Sequence, residues 1–396
     1  MKSISLYLKR NLYFILSIFA LFSTVVLAVV LLLVLDLSRD VSKTSVGFIY
    51  LGASEVSDYE SVLAPRIAQW QDTADYTLTY QEYEWQIDLT HFEFDLNQTL
   101  TEIKENQNND AYFTLSEVNR DLLISELTED LTPLIISSFD EDSFLSELEN
   151  DLRVLKNRKS YELKDYLDAE IASTTIDQVD MDDIPVDIVS EISSVLSEFV
   201  ISAQSRFYLI EALDTYSLSN EALSVIASAL QYMTVKTPVE GYIYQEFDER
   251  PIWSGLGMSA RVLALNGYDF SFFNPRQEEM RVTIEVLDTN TLRFTLKGYP
   301  FLTTYERIIE LGPTIYYHVI TNDNPLLNEL SEGVIITDTE TETIYEVVIV
   351  TGVHGHVTYI KRRVTPLGGT YSDYTLFYEQ MLPVDQVIEQ NIVPKG

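Results

Sequence analysis

The chain has 396 residues, 46% of them hydrophobic and 12% aromatic, a formal net charge of −36 and no cysteine. So strong a negative charge argues against nucleic acid or anionic lipid headgroups as partners. The missing cysteine excludes disulfides, thiol nucleophiles and cysteine-ligated metals.

Leu12 to Leu35 carries no charged residue. At helical rise this stretch reaches about 36 Å, enough to cross a hydrocarbon core with some tilt. It is longer than a signal-peptide apolar region and ends Val34-Leu35-Asp36-Leu37-Ser38, without a small-residue cleavage pattern. It is therefore expected to be an uncleaved anchor. Lys2, Lys9 and Arg10 precede it, whereas Arg39 and Lys43 follow. This bias predicts a cytoplasmic N-terminus over 1–11, a transmembrane helix over 12–35 and a body outside. All 62 acidic residues follow Leu35, giving the body a net charge of about −39. Its Tyr and Phe content sets it apart from a disordered acidic tail.

Within the body, Val46–Leu51 reads as a short strand. Residues 54–71 read as a helix with Leu63, Ile67 and Trp70 on one face, and Pro65 marks a kink or a later start. Tyr76, Leu78 and Tyr80 alternate, as do Tyr83, Trp85, Ile87 and Leu89, predicting strands with one buried face. Ser138-Phe-Asp-Glu141 has the form of a capping box, opening a helix with Phe144, Leu148, Leu152 and Leu155 on one stripe. Residues 174–195, with Asp182-Asp183-Ile-Pro185, read as an acidic connection. Ser219 is a good N-cap for a helix burying Leu223, Ile226, Ala227, Leu230 and Met233. Val282, Ile284 and Val286, the turn Asp288-Thr-Asn290, and Leu292, Phe294 and Leu296 predict a hairpin. Another strand pair is expected to flank Gly352-Val-His-Gly355.

Candidate chemistry is sparse. His354 and His356 stand two apart in an expected turn, but two ligands do not define a metal site. Asp180, Asp182 and Asp183 resemble a calcium loop but lack its glycine and terminal glutamate. No Walker or dinucleotide glycine pattern occurs, and Gly255-Leu-Gly257 reads as a strand-end turn. No metal and no cofactor is expected.

Arg206-Phe-Tyr-Leu-Ile-Glu-Ala-Leu213, Leu218–Leu230, Leu256-Gly-Met-Ser-Ala-Arg-Val262 and Tyr268-Asp-Phe-Ser-Phe-Phe-Asn-Pro275 together resemble the VanW family of Gram-positive envelope proteins. Trp85-Gln-Ile-Asp88 and Phe94–Thr99 resemble the peptidoglycan-binding-like region that often precedes such domains. The resemblance implies an α+β chain: a peptidoglycan-binding-like α+β module at 45–175, a VanW-like module at 195–300 and a β-rich region at 301–396. Family members proposed to act as L,D-transpeptidases carry Gly-Gly-Gly-x-Cys-Gln at the helix start. Here Ser224 falls at the cysteine position after Glu221-Ala-Leu223, and Gln245 falls near the expected histidine. A serine without a base is a poor nucleophile. The expectation is a membrane-anchored, non-catalytic protein binding peptidoglycan or an envelope partner, with Tyr83 and Trp85 as candidate sugar-stacking residues or core aromatics. Two alternatives stand beside it. One is a cell-wall enzyme using Ser224 or a carboxylate. The other is a subunit of a membrane assembly, with Tyr13, Ser17, Ala20 and Thr24 as a helix-contact stripe.

Overall fold

The computed structural model describes residues 11–34, 42–247 and 249–395. The expected cytoplasmic segment apart from Asn11, Leu35 at the end of the anchor, and the flanking charge Arg39 lie outside the described residues. Helices and strands each make up about a third of the chain, 33% and 36%, so the fold is α+β.

Helix α1 (Leu12–Val34) is long and apolar enough to cross a membrane. Two of its hydroxyls are satisfied within the helix: Ser17 Oγ donates to the Tyr13 carbonyl at 2.7 Å and Thr24 Oγ1 to that of Ala20 at 2.5 Å. Such back-bonding lowers the cost of a hydroxyl in hydrocarbon.

The body divides into two compact units, one made of residues up to 129 with 140–166, the other of 130–139 with 167–396. In the first, Val46–Leu51 is a tight hairpin, not one strand. Ser45–Val46 pairs with Ile49–Tyr50 because Gly47, at φ +53°, turns the chain. Helix α2 (Tyr59–Thr73) contains Pro65 and buries Leu63, Ile67 and Trp70. Strand β1 (Asp75–Tyr80) is central, with β2 (Tyr83–Gln86) antiparallel on one side. Helix α3 (Glu141–Arg153) is capped by Asp140, whose carboxylate accepts the Ser143 N–H. Ser138 instead ends the preceding helix, Pro133–Ser138, so the expected capping box does not form. Strand β3 (Arg158–Glu162) runs parallel to β1. Asp151 of α3 is buried but not isolated: Lys156, Lys159 and the Tyr161 hydroxyl all engage its carboxylate.

In the second unit, residues 174–195 are not a connection. They form β4 (Thr174–Met181) and α4 (Val186–Val195). Asp177, Val179 and Met181 alternate inward in β4, and its acidic composition hid that period. After β5 (Glu198–Ile201) and β6 (Ser205–Tyr208) comes α5 (Asn220–Thr234), with Ser219 as its N-cap. Strands β7 (Glu240–Ile243), β8 (Gln245–Glu246), β9 (Ala260–Arg261) and β10 (Ser271–Asn274) follow, then the expected hairpin, β11 (Met280–Val286) and β12 (Leu292–Gly298). One sheet has the order β5-β11-β12-β4, a second β6-β10-β7, and β8 pairs with β9. Both flank a core in which α5 is buried almost all round.

Two further sheets complete this unit. Strands β13 (Thr304–Ile315), β17 (Gly355–Thr365) and β18 (Ser372–Met381) form one. Strands β14 (Val319–Asp323), β15 (Ile335–Asp338), β16 (Glu342–Val350) and β19 (Gln386–Pro394) form the other, ordered β14-β19-β16-β15. The strands flanking Gly352–Gly355 therefore do not pair with each other but enter different sheets. A Cβ at Gly355 would meet the Met381 carbonyl oxygen at 2.2 Å, so the crossing requires glycine there. Among the described residues, no side chain of the four-stranded sheet is buried.

Candidate functional site

Helix α5 presents Ser224, Ser228 and Gln231 at spacings of four and three, on one stripe of a helix. All three are buried, and each meets backbone around β9. Ser224 Oγ accepts the Val262 N–H at 2.9 Å and donates to the Asn220 carbonyl at 2.6 Å. Ser228 Oγ donates to the Ala260 carbonyl at 3.1 Å. Gln231 Oε1 accepts the Ser259 N–H at 2.7 Å. Strand β9 pairs on one side only, with β8. The helix side chains supply the partners that a second strand would have given, as buried backbone requires. The stripe was present in the sequence, but its hydroxyls and amide break the apolar pattern that marks a buried face.

A cavity of about 220 Å³ lies beside Ser224, lined among others by Glu221, Phe247, Trp253 and Arg261. No histidine lines it, and the Ser224 hydroxyl donates to main-chain oxygen, not to a base. Gln245 is exposed, pairs with Arg261 across the β8–β9 ladder and is not among the lining residues. The structure thus does not join Ser224 and Gln245 into one site.

A larger cavity, of about 570 Å³, lies in the same unit and was not legible in the sequence. Glu246, Phe247, Glu249, Arg250, Glu379 and the run Met381–Val384 contribute to its walls. Glu379, on β18, is only 3% exposed. Its Oε2 accepts from Arg250 Nη2 at 2.7 Å and from the Gly257 N–H at 3.1 Å. Its Oε1 is buried and meets no hydrogen-bond donor among the described residues. The Gly255-Leu-Gly257 turn, with Gly257 at φ +80°, aims that N–H at the carboxylate. Burial pushes the Glu246 carboxyl above its usual range and the neighbouring Glu379 adds to this, opposed by the Gln380 N–H. Burial likewise pushes the Tyr244 phenol up to about 12.

The remaining candidates are dispersed. Tyr83 and Trp85 are half-buried on β2, rings 6.3 Å apart and tilted by 31°, opposite Tyr80 and Leu78. They extend the buried face of β1 to the sheet edge. His354 stacks on Tyr317 with ring centroids 4.6 Å apart, while His356 is not in a turn but on β17, paired with Thr314. Asp180 is held by Arg293 through two bonds of 2.7 Å, which keep its carboxyl below the usual range. Among the described residues, no group of three or more histidine or acidic side chains is arranged to hold a metal.

No family model matches this chain. No curated protein matches it either.

Proposed function

We propose that this chain is a membrane-tethered, extracytoplasmic binding protein of VanW-like organisation, in which the residues of an acyl-transfer site serve structure instead. The observation that carries this reading is the double engagement of the Ser224 hydroxyl. A nucleophilic serine needs an acceptor for its proton and freedom to approach a carbonyl. Ser224 is 3% exposed, and both of its short bonds go to main chain.

What remains is an apolar helix of membrane-spanning length on a strongly acidic body with well-formed cores. The proposed ligand is peptidoglycan or an envelope protein. For a glycan, the half-buried pair Tyr83 and Trp85 at a sheet edge offers ring faces suited to sugar stacking. Full-length protein in mild detergent, mixed with isolated cell walls, is expected to co-sediment above an acidic control protein. Trp85→Ala is expected to weaken this several-fold. Sedimentation no greater than the control's would remove wall binding and leave an envelope protein as the partner to seek by cross-linking.

A further inference from the structure

We propose that one face of the four-stranded sheet β14-β19-β16-β15 is a docking site for a partner segment with an apolar stripe flanked by lysine or arginine. The proposal rests on this sheet and does not depend on wall binding.

Residues opposite each other in a β ladder share a face, and so do residues two apart along a strand. The register therefore gathers Ile344 with Ile392, Val348 with Ile388, and Ile335 with Glu346 and Gln390 on one face. Val319, opposite Gln386, joins them from β14. Val319, Ile335, Val348 and Ile392 are 56, 60, 41 and 46% exposed. The loop after β14 lies on the opposite face. There Asn391 Nδ2 donates to the Pro325 and Leu327 carbonyls at 3.3 and 2.8 Å, Asn324 Nδ2 donates to the Glu389 carboxylate, and Leu327 is buried. The first face leaves its isoleucines and valines in water. A sheet is stabilised by packing such a face against another layer, so this one is completed by a partner.

The surrounding charge selects that partner. Segments 316–353 and 382–395 hold the four strands and the loops beside them. They carry nine acidic residues and a single Lys or Arg, Lys395. That lysine is already bound to Asp338 at 3.0 Å. A matching segment brings apolar side chains for the face and cations for its rim, and complementary charge of this kind suppresses wrong partners. A second copy of the chain would set two acidic rims against each other. A lipid surface would have to take in Glu346 and Gln390, which lie among the apolar residues and are joined by a bond of 3.2 Å.

The test uses the full-length chain in phosphatidylcholine nanodiscs and three fluorescein-labelled amphipathic helices, read by anisotropy and corrected against empty nanodiscs. The first helix has a leucine stripe flanked by lysines. The second replaces its leucines with glutamine, and the third replaces its lysines with glutamate. The leucine–lysine helix is expected to bind about tenfold more tightly than either of the others. Ile392→Lys and Ile335→Lys, each at an exposed position of the face, are expected to remove that preference and leave the unfolding midpoint unchanged. Leu265→Lys makes the same charge change at a residue 99% exposed outside this sheet, and is expected to bind like the parent. Equal binding of the leucine–lysine and glutamine–lysine helices would overturn the proposal, because charge alone would then suffice. So would parent-like binding in both face variants, or an equal loss in Leu265→Lys. Sedimentation velocity covers the remaining occupant: a dimer that Ile392→Lys abolishes would put a second copy on this face and overturn the basic partner.

Discussion

Arg362 Nε donates to the carbonyl oxygen of Val235 at 2.8 Å, joining residues 127 positions apart. The same guanidinium reaches the Val239 carbonyl at 2.9 Å, and the Thr234 carbonyl and Tyr242 hydroxyl at 3.1 Å each. Its partners gather at the C-terminal end of α5, where main-chain carbonyls lack helical partners and a cation is favoured. Val235, Ile360 and Phe377 form a small apolar cluster beside it. One arginine on β17 thereby fastens the β13-β17-β18 sheet to the helix that organises the core.

Arg362→Ala is expected to take the side-chain donor from the buried Val235 and Val239 carbonyls, while the Thr234 carbonyl keeps its bonds from Thr237, and to cost about 3 kcal/mol. Denaturant unfolding of the full-length chain would measure it. Arg362→Lys should recover less than half, because an ammonium lacks the planar fork that reaches several acceptors together.

Asp177 makes a second tie. It is buried on β4, with Lys236 Nζ on Oδ1 and Arg307 Nη1 on Oδ2, each at 2.8 Å. Arg307 also donates to the Tyr232 carbonyl and lies 3.2 Å from the centroid of that ring. Asp177→Ala leaves two cations without their counter-charge and is expected to cost about 3–5 kcal/mol. Arg307→Met should cost less, because a flexible apolar side chain can keep contact with the Tyr232 ring. A double-mutant cycle reads the coupling; near-additive losses would mean the pair does not act as a unit.

Glu246 should make stability depend on pH in the unusual direction for a carboxylate. Its folded carboxyl sits above the usual range, through burial first and Glu379 second. The folded state therefore holds the proton more tightly than the unfolded one. Stability is greatest below the unfolded value, about 4.3, and falls as pH rises through the folded one. Glu246→Gln keeps an acceptor for the Gln380 N–H and removes the charge. Its unfolding midpoint is expected to exceed that of the parent at neutral pH, by about 2 °C at most, with the gain gone near pH 4. A gain that grew on acidification would reverse the sign.

Ser224→Ala should act on stability and not on turnover. It leaves the Val262 N–H buried without its acceptor, at a cost of about 1–2 kcal/mol. Mass spectrometry of tetrapeptide-bearing muropeptides is expected to find no product with either protein. Product that disappears only in Ser224→Ala would restore the enzyme reading.

The anchor predicts fractionation. Full-length protein should stay with membranes through an alkaline wash, whereas a chain lacking 12–34 should be released. Protease added outside intact cells should then digest the body if it lies on the outer side, and protection would reverse the proposed orientation.

Features written in a local period were legible from the sequence. The apolar run of α1, the α5 stripe with its Ser219 cap, and the hairpin turning at Asp288–Asn290 needed only neighbours within a few residues. The strand at 174–181 was hidden because its inward set includes Asp177, whose cationic partners stand 59 and 130 positions away. The strands around Gly352–Gly355 misled for a related reason: local alternation marks a strand but does not name its partner.

The sequence by itself determined that this chain has no thiol, a strong negative charge, a helix of membrane-spanning length and an α+β body. Only the tertiary structure decided what its polar residues do. Ser224 became a hydroxyl holding β9, Arg362 a cap for the far end of α5, and Glu379 the wall of a cavity closed by residues more than 120 positions away. Burial of a polar group is tolerated only with a partner, and that partner is chosen in space, where sequence periodicity carries no information.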